Sequence, residues 1–187
     1  WSQCAEEKPL VLPPASADYE PLCYYMEPAE SPLTDTEYPL VLTTGARPWG
    51  FFHSEHRQIP HLRALHPNPE FEIAPETAEE YGIGQGDWCW IESHLGRVQL
   101  KANVSPVLDP STISLDHAWW FPEKNPEDEG GGCYGTYLSN PNVIVEAGCG
   151  ESGFGNNCKS HMCRVRKCAP DEAIGDTDMD EIAKRFA

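Results

Sequence analysis

The hydrophobic pattern is sharpest between residues 70 and 104. Trp88, Trp90 and Glu92 alternate with Cys89, Ile91 and Ser93; His94-Leu95-Gly96 supplies a turn; Val98, Leu100 and Ala102 then alternate with Gln99, Lys101 and Asn103. A period of two on both sides of a polar tip predicts a β-hairpin with one buried face. Upstream, Glu70–Ile73 reads as the end of an apolar strand and Ala74-Pro75-Glu76-Thr77 as a helix start. Proline suits the first helical turn, and acidic residues there oppose the helix dipole. Tyr81 and Ile83 close the helix, and the run Gly82, Gly84, Gly86 permits a tight stop.

Other short elements flank this block. Tyr38–Thr44 is an apolar strand broken by the loop Gly45-Ala46-Arg47-Pro48-Trp49-Gly50. Ile59, Leu62 and Leu65 fall at helical spacing within Gln58–His66, where Pro60 limits the helix to a short one. Thr112–His117 is a further strand, followed by the aromatic loop Trp119-Trp120-Phe121-Pro122 and an acidic, glycine-rich excursion over Glu123–Gly132. Asn142–Val145 and His161–Arg166 complete about six strands, so the fold class is mainly β with short helices, and many short strands suggest a barrel. Periodicity leaves the type of barrel open. The expected organisation is an extended Pro/acid-rich arm or interdomain linker over residues 1–37, a globular unit over 38–168, and an acidic tail over 169–187. Asp178–Ala187 is expected to form a short helix with Asp178 or Asp180 near its start.

Charge changes the picture. The 187 residues carry a formal charge of −17, spread unevenly: residues 1–46 hold eight acids and one lysine, and residues 169–187 six acids and two basic residues. Acid-rich ends read as solvated segments. The overall sign argues against nucleic acid, which needs a basic stripe. A phosphate-bearing small molecule needs a local basic cluster instead, and Arg47 with Arg57 offers one. No apolar run approaches the roughly 18 residues of a membrane span, so no direct membrane insertion is expected. The chain opens on Trp1 with no initiator Met and no secretory pattern, as a processed chain or a fragment would; the compartment stays open.

Eight cysteines invite a disulfide or a metal reading. The C-x4-C-x4-C run of Cys158, Cys163 and Cys168 lacks the CxxC pairing usual in zinc and iron–sulfur sites, and buried or reactive thiols are the plainer expectation. His53, His56, His61 and His66 with Glu55 are zinc-ligand types, but none of them forms an i, i+4 pair and Pro60 interrupts them. Ser54 lacks a nucleophile elbow, and Cys133 stands in a glycine-rich loop without a partner. Of the adjacent Trp119 and Trp120, one at least must leave the barrel interior, to pack elsewhere or to flank a ligand.

The Glu70–Arg97 block resembles the C-terminal, dinucleotide-binding domain of molybdopterin oxidoreductases, the dimethyl sulfoxide reductase family. Two further stretches carry the resemblance. In Tyr38–Ile59, YPLVLTTGARPWGFFHSEHRQI, a first strand ends in Thr-Thr-Gly, followed by a basic residue and a His-containing segment. In Ser139–Arg166, Asn142 precedes a short apolar segment, then come Gly153-Phe154-Gly155, Cys158-Lys159-Ser160 and a final strand. The wording GARPWGFFHSEHRQIP is closest in look to the acetylene hydratase, transhydroxylase and aromatic dehydroxylase branch. Cys158 before Lys159, and a loop without the usual Asp-Pro, depart from the family pattern.

The resemblance implies a double-psi β-barrel over about 130 residues. It also implies that this domain binds and orients the dinucleotide of a bis-(molybdopterin guanine dinucleotide) cofactor with Mo or W. Thr44, Gly45, Ala46, Arg47, His53, Ser54, Glu55, Arg57, Asn142 and Lys159 are the candidate cofactor-binding residues, and none is assigned to catalysis or to a metal. A glycine lets the backbone approach a phosphate or ring, and arginine offers a planar fork. The metal ligand and a 4Fe-4S cluster are implied in upstream domains of the same polypeptide, with an iron–sulfur electron-transfer subunit as a further partner; alone, this fragment is expected to be inactive. Two other readings stand beside it: a non-catalytic double-psi barrel that binds proteins, which predicts an apolar groove, and a small Cys/His metal-binding module.

Overall fold

Strand β1 (Leu40–Ala46) is hydrogen-bonded along both edges, and the fold is organised around it. The computed structural model describes residues 31, 36–127, 130–146, 159 and 161–186. Most of the expected N-terminal arm and the segment 147–158, with Cys149, Gly153-Phe154-Gly155 and Cys158, lie outside the described residues.

After β1 come a single helical turn, α1 (Pro60–Arg63), strand β2 (Glu70–Ile73), helix α2 (Pro75–Glu80), the hairpin β3 (Trp88–Ser93) and β4 (Gly96–Val104), and β5 (Thr112–Asp116). The short helix α3 (Thr136–Ser139), strand β6 (His161–Lys167) and helix α4 (Met179–Phe186) follow. The six strands close in the order β1-β5-β2-β4-β3-β6. Two neighbouring pairs, β1/β5 and β2/β4, are parallel and the rest antiparallel, in keeping with the expected double-psi barrel.

The alternation in the sequence decides which side chains fill the barrel. Cys89 and Ile91 of β3 and Val98 and Leu100 of β4 are fully buried, beside Leu42, Ile73, Ile113 and Leu115. Each large aliphatic side chain so buried contributes roughly 1.5–3 kcal/mol. Pro75 stands at the start of α2 as its sequence implies, and Glu76 is the acid of its first turn.

The helix within Gln58–His66 is the short one that Pro60 implies. Only Pro60–Arg63 is helical, because Pro60 must occupy the first turn, and the Leu65 and His66 amides make i−3 bonds to Leu62 and Arg63. Asn142–Val145 is not a strand: Pro141–Val143 is a 3-10 turn. Pro141 has no N–H for a ladder, and the Asn140 side chain accepts the Asn142 N–H at 3.0 Å. The apolar signal there came from Ile144, which is buried against the barrel core. The sixth strand is β2, paired on both edges.

Of the acids after β6, Glu172 and Asp176 are paired with the barrel, while Asp171, Asp178, Asp180 and Glu181 are exposed. Glu172 takes both arms of Arg166 at 2.8 and 3.0 Å and caps the Ala169 N–H at 2.8 Å. Arg166 first, and then that N–H, hold the Glu172 carboxyl down to about 2. Gln99 donates to the Glu172 carbonyl and accepts the Ile174 N–H, at 2.8 and 2.9 Å. Asp176 receives the Trp88 indole N–H at 3.0 Å and Lys101 at 2.8 Å. Asp178 then caps α4 by accepting the Asp180 and Glu181 amides at 2.9 and 3.2 Å. Helix α4 packs against α1, with Ile182 fully buried.

Ile182→Ala should therefore lower stability by about 2–5 kcal/mol, the cost of truncating a buried aliphatic side chain. Urea denaturation of the purified protein measures it; an unchanged midpoint would mean that α4 is no part of the cooperative unit.

Candidate functional site

β1 and β5 run parallel, with Thr44 opposite Leu115 and Ala46 opposite Asp116, so their C-terminal ends open at one mouth of the barrel. Arg47 leaves the first end and His117 the second. β6 runs antiparallel to β1 with His161 opposite Leu42; two residues earlier, Lys159 falls beside Thr44 and donates its ammonium to the Thr44 carbonyl. Pairing register thus gathers residues more than 100 positions apart.

The register slips between Thr44 and Ala46, and Gly45 occupies the irregularity with φ +93°. A Cβ there would sit 3.0 Å from the Lys159 Nζ. The backbone conformation is what calls for glycine here; the flexible end of the lysine side chain could give way to a Cβ.

A cleft of about 700 Å³ opens at this mouth, lined by Thr44, Gly45, Arg47, His53, Ser54, His117, Ala118, Trp120, Thr136, Asn140, Asn142 and Lys159. Its lining carries two cations and two imidazoles and no carboxylate. The His53 and His117 rings meet edge to face, centroids 4.0 Å apart, with nitrogens 2.9 Å apart at the closest. Burial first, then the charges of His53, Arg47, Arg57 and Lys159, push His117 below its usual range. Trp120 is fixed by donating its indole N–H to the Ser54 carbonyl. On the far side, Thr136, Asn140 and Asn142 continue into a second hollow of about 560 Å³ with Tyr137 and Val143. That wall is tied to the barrel by the hydroxyls of Ser139, donating to the Gln99 carbonyl at 2.7 Å, and of Ser93, donating to the Ile144 carbonyl at 2.8 Å.

Seven of the ten residues singled out in the sequence line this cleft: Thr44, Gly45, Arg47, His53, Ser54, Asn142 and Lys159. Ala46 closes β1 beside it. Glu55 and Arg57 stand behind it: Glu55 presents a backbone carbonyl to Arg57, whose guanidinium is fully buried and donates only to carbonyls. His117, Ala118, Trp120, Thr136 and Asn140 were not singled out as site residues. Their membership follows from the β1/β5 register and from the turns at 134–143. Ala118, with φ 45°, is one of three non-glycine residues at positive φ among the described residues; the others, His56 and Tyr134, lie in the loops that bring His53 and Thr136 to the cleft. Such strained positions concentrate at functional sites.

A neighbouring hollow of about 370 Å³ shares Arg47 and is lined by Trp49, Leu65, His66, Glu70, Glu72 and Asp116, among others. Asp116 accepts both His66 Nε2 at 2.6 Å and the Glu70 N–H at 2.7 Å. Burial alone would lower the His66 pKa, but the hydrogen bond and charge of Asp116, helped by Glu70, outweigh it and the net shift is upward. Among the described residues, no three His, Cys, Asp or Glu side chains converge as a metal site. Burial pushes the Cys89 thiol up to about 12 and Cys168 to about 11, with Cys163 raised as well, which opposes thiolate chemistry at neutral pH.

The chain is thus a closed barrel with a cation-lined cleft at the ends of two parallel strands. The profile of the molydopterin dinucleotide binding domain matches residues 40–161, and the chain belongs to that family. It is similar to dopamine dehydroxylase from Eggerthella lenta, 38% identical over 153 residues, covering 80% of this chain and 15% of the relative. Acetylene hydratase from Syntrophotalea acetylenica is 34% identical over 134 residues, covering 68% of this chain and 18% of the relative. The solved structure of acetylene hydratase from Pelobacter acetylenicus superposes with a TM-score of 0.74 at 29% identity, over 81% of this chain and 22% of that one. These relatives lie in the branch that the GARPWGFFHSEHRQIP stretch suggested. The chain spans less than a fifth of the length of either named relative.

The His66–Asp116 pair gives a pH signature. Because the folded-state pKa of His66 lies above its ordinary 6.5, its stabilisation is complete below about 6.5 and is lost as pH rises through the folded value. The urea midpoint should fall over that range, and His66→Gln should flatten this part of the profile; a midpoint insensitive to pH there would contradict the pairing.

Proposed function

We propose that the cleft holds one dinucleotide of a bis-(molybdopterin guanine dinucleotide) cofactor, in a longer enzyme whose upstream domains complete the site. One observation carries this reading. In a chain of charge −17, Arg47, Lys159 and the His53–His117 pair converge on a glycine turn with no carboxylate among the lining residues. Arg47 and Lys159 supply the charge that a pyrophosphate needs, Arg47 as a planar fork and Lys159 as a point charge. Thr136, Asn140 and Asn142 supply amide and hydroxyl groups for a heterocycle edge, and Trp120 an aromatic wall. Gly45 permits a phosphate or ring to approach the backbone closely.

When bound, the cofactor supplies the molybdenum or tungsten at which substrate is transformed. The residues of this chain bind and orient it, and none of the cleft residues is assigned to the chemistry. The metal ligand, a 4Fe-4S cluster and any electron-transfer subunit belong to the parts of the enzyme beyond this domain. The isolated domain is inactive on this reading, and residues 1–37 act as the connection to the preceding domains. The dehydroxylase and hydratase relatives favour a reductive dehydroxylation or a hydration for the whole protein. The protein-binding barrel is the weaker reading, because the cleft lining is charged and polar.

The test is elemental analysis of the full-length protein with an assay for released pterin. About one equivalent of molybdenum or tungsten per chain, with pterin, is expected. Arg47→Ala and Asn142→Ala should each reduce the pterin retained per folded chain. Full pterin content in both variants would remove these residues from the site, and zinc alone, or neither metal nor pterin, would remove the cofactor.

A further inference from the structure

Arg57 is fully buried, yet among the described residues no carboxylate forms an ion pair with it. Its NH1 donates to the carbonyls of His53 at 3.2 Å and Glu55 at 3.5 Å, and its NH2 to the carbonyl of His117 at 3.0 Å. Phe51 and Trp119 cover the guanidinium, at 4.7 and 4.6 Å from their ring centroids. Arg63, equally buried nearby, behaves differently, with Glu123 at 3.2 Å as a counter-charge. Burial pulls Arg57 down to about 10, so it remains charged at neutral pH.

The two residues whose backbones Arg57 grips from behind, His53 and His117, are those whose imidazoles meet in the cleft. One guanidinium therefore closes a circuit: Arg57 to the His53 carbonyl, the His53 ring to the His117 ring, and the His117 carbonyl back to Arg57. The loop so held contains His56 at φ 72°, a conformation that needs outside support. Only a planar fork reaches two chain segments 60 positions apart in this way; an ammonium is a point donor without that geometry.

We propose that Arg57 is a positioning residue for the cleft. It contacts no ligand, and it fixes the His53 loop against the end of β5 so that the two imidazoles are presented as a preset pair to the anionic part of the dinucleotide. This rests on the reading that the cleft holds the cofactor. An anion there relieves the repulsion that His117 feels from His53, Arg47, Arg57 and Lys159, so retention of the ligand should depend on His117 being held in place.

The experiment uses the full-length cofactor-loaded enzyme and follows pterin release from the folded protein, with the thermal midpoint recorded separately. Arg57→Met should release pterin about tenfold faster than the unaltered enzyme, at the low end of the effect of removing an outer support of a ligand site. Arg57→Lys, which keeps the charge and loses the fork, should fall between the two, and it decides the matter if Arg57→Met does not fold. In a His53→Ala/His117→Ala background the release should already be fast. Adding Arg57→Met to that background should lower the thermal midpoint without hastening release further. Wild-type release from both Arg57 variants would overturn the proposal. So would wild-type release from the double histidine variant, or equal acceleration by Arg57→Met in either background, which is what a purely structural arginine would give. Arg47→Ala reports on the cleft itself: if it and the histidine variant both retain pterin normally, the cleft reading fails, whereas loss in those two with normal retention in Arg57→Met refutes only the role of Arg57.

Discussion

The double pairing of β1 is the constraint on which the site depends. Its parallel register with β5 sends two strand ends to the same barrel mouth, and its antiparallel register with β6 brings Lys159 back to Thr44. A one-residue slip in a strand exchanges its buried and exposed faces, so Leu42, Ile113 and Leu115 lock the register by filling the barrel. The apolar core thereby sets the positions of Arg47, His117 and Lys159, none of which belongs to it. The local slip at Gly45 is tolerated because it falls at the end of β1, where the ladder is about to stop.

Behind the mouth lies a second, smaller core in which cations and aromatics replace aliphatic packing. Trp119 is fully buried between Arg57 and Arg63, with Phe51 and Phe121 set edge-on to it. Stacking on rings offsets part of the cost of burying two guanidinium groups, and each adds hydrogen bonds that satisfy backbone carbonyls. The C-terminal segment completes this region through Thr177, which accepts from Arg63 at 3.0 Å, and through Arg185, which donates to the Glu123 carbonyl at 2.7 Å. Residues after β6 thus support the aromatic cluster on which the cleft loops rest.

Local order along the chain was legible wherever alternation or a terminus signal was strong. The hairpin at 88–104, the proline-led α2 and the Asp178-capped α4 were each readable, because side-chain period and capping chemistry act within a few residues. Asn142–Val145 misled because a single buried Ile144 beside two valines imitates a short strand, while Pro141 and the Asn140 side chain favour a turn. For the site, resemblance to the family and the Gly-Ala-Arg turn singled out residues of which seven line one cleft at a mouth of the barrel. His117 and Asn140 were invisible as partners because their positions depend on cross-chain register. The burial of Arg57 was not legible either: an arginine in a polar loop reads as a ligand contact, and the structure instead shows it buried and donating to backbone carbonyls.

The contrast between an acidic protein and one basic hollow has a consequence for traffic. With a total of −17, the outer field repels polyanions, whereas a small anion that comes within roughly 8 Å of the cleft meets an attraction that solvent screens less at short range. Arg47 and Lys159 share that hollow with no carboxylate in its lining, and their charges help hold His117 below its usual range. On the proposed reading the ligand acts as an internal counter-ion, and the folded state gains stability as the logarithm of one plus the ratio of free ligand to Kd. A barrel of this kind is a polarised vessel, at odds with itself until the charge it was shaped around arrives.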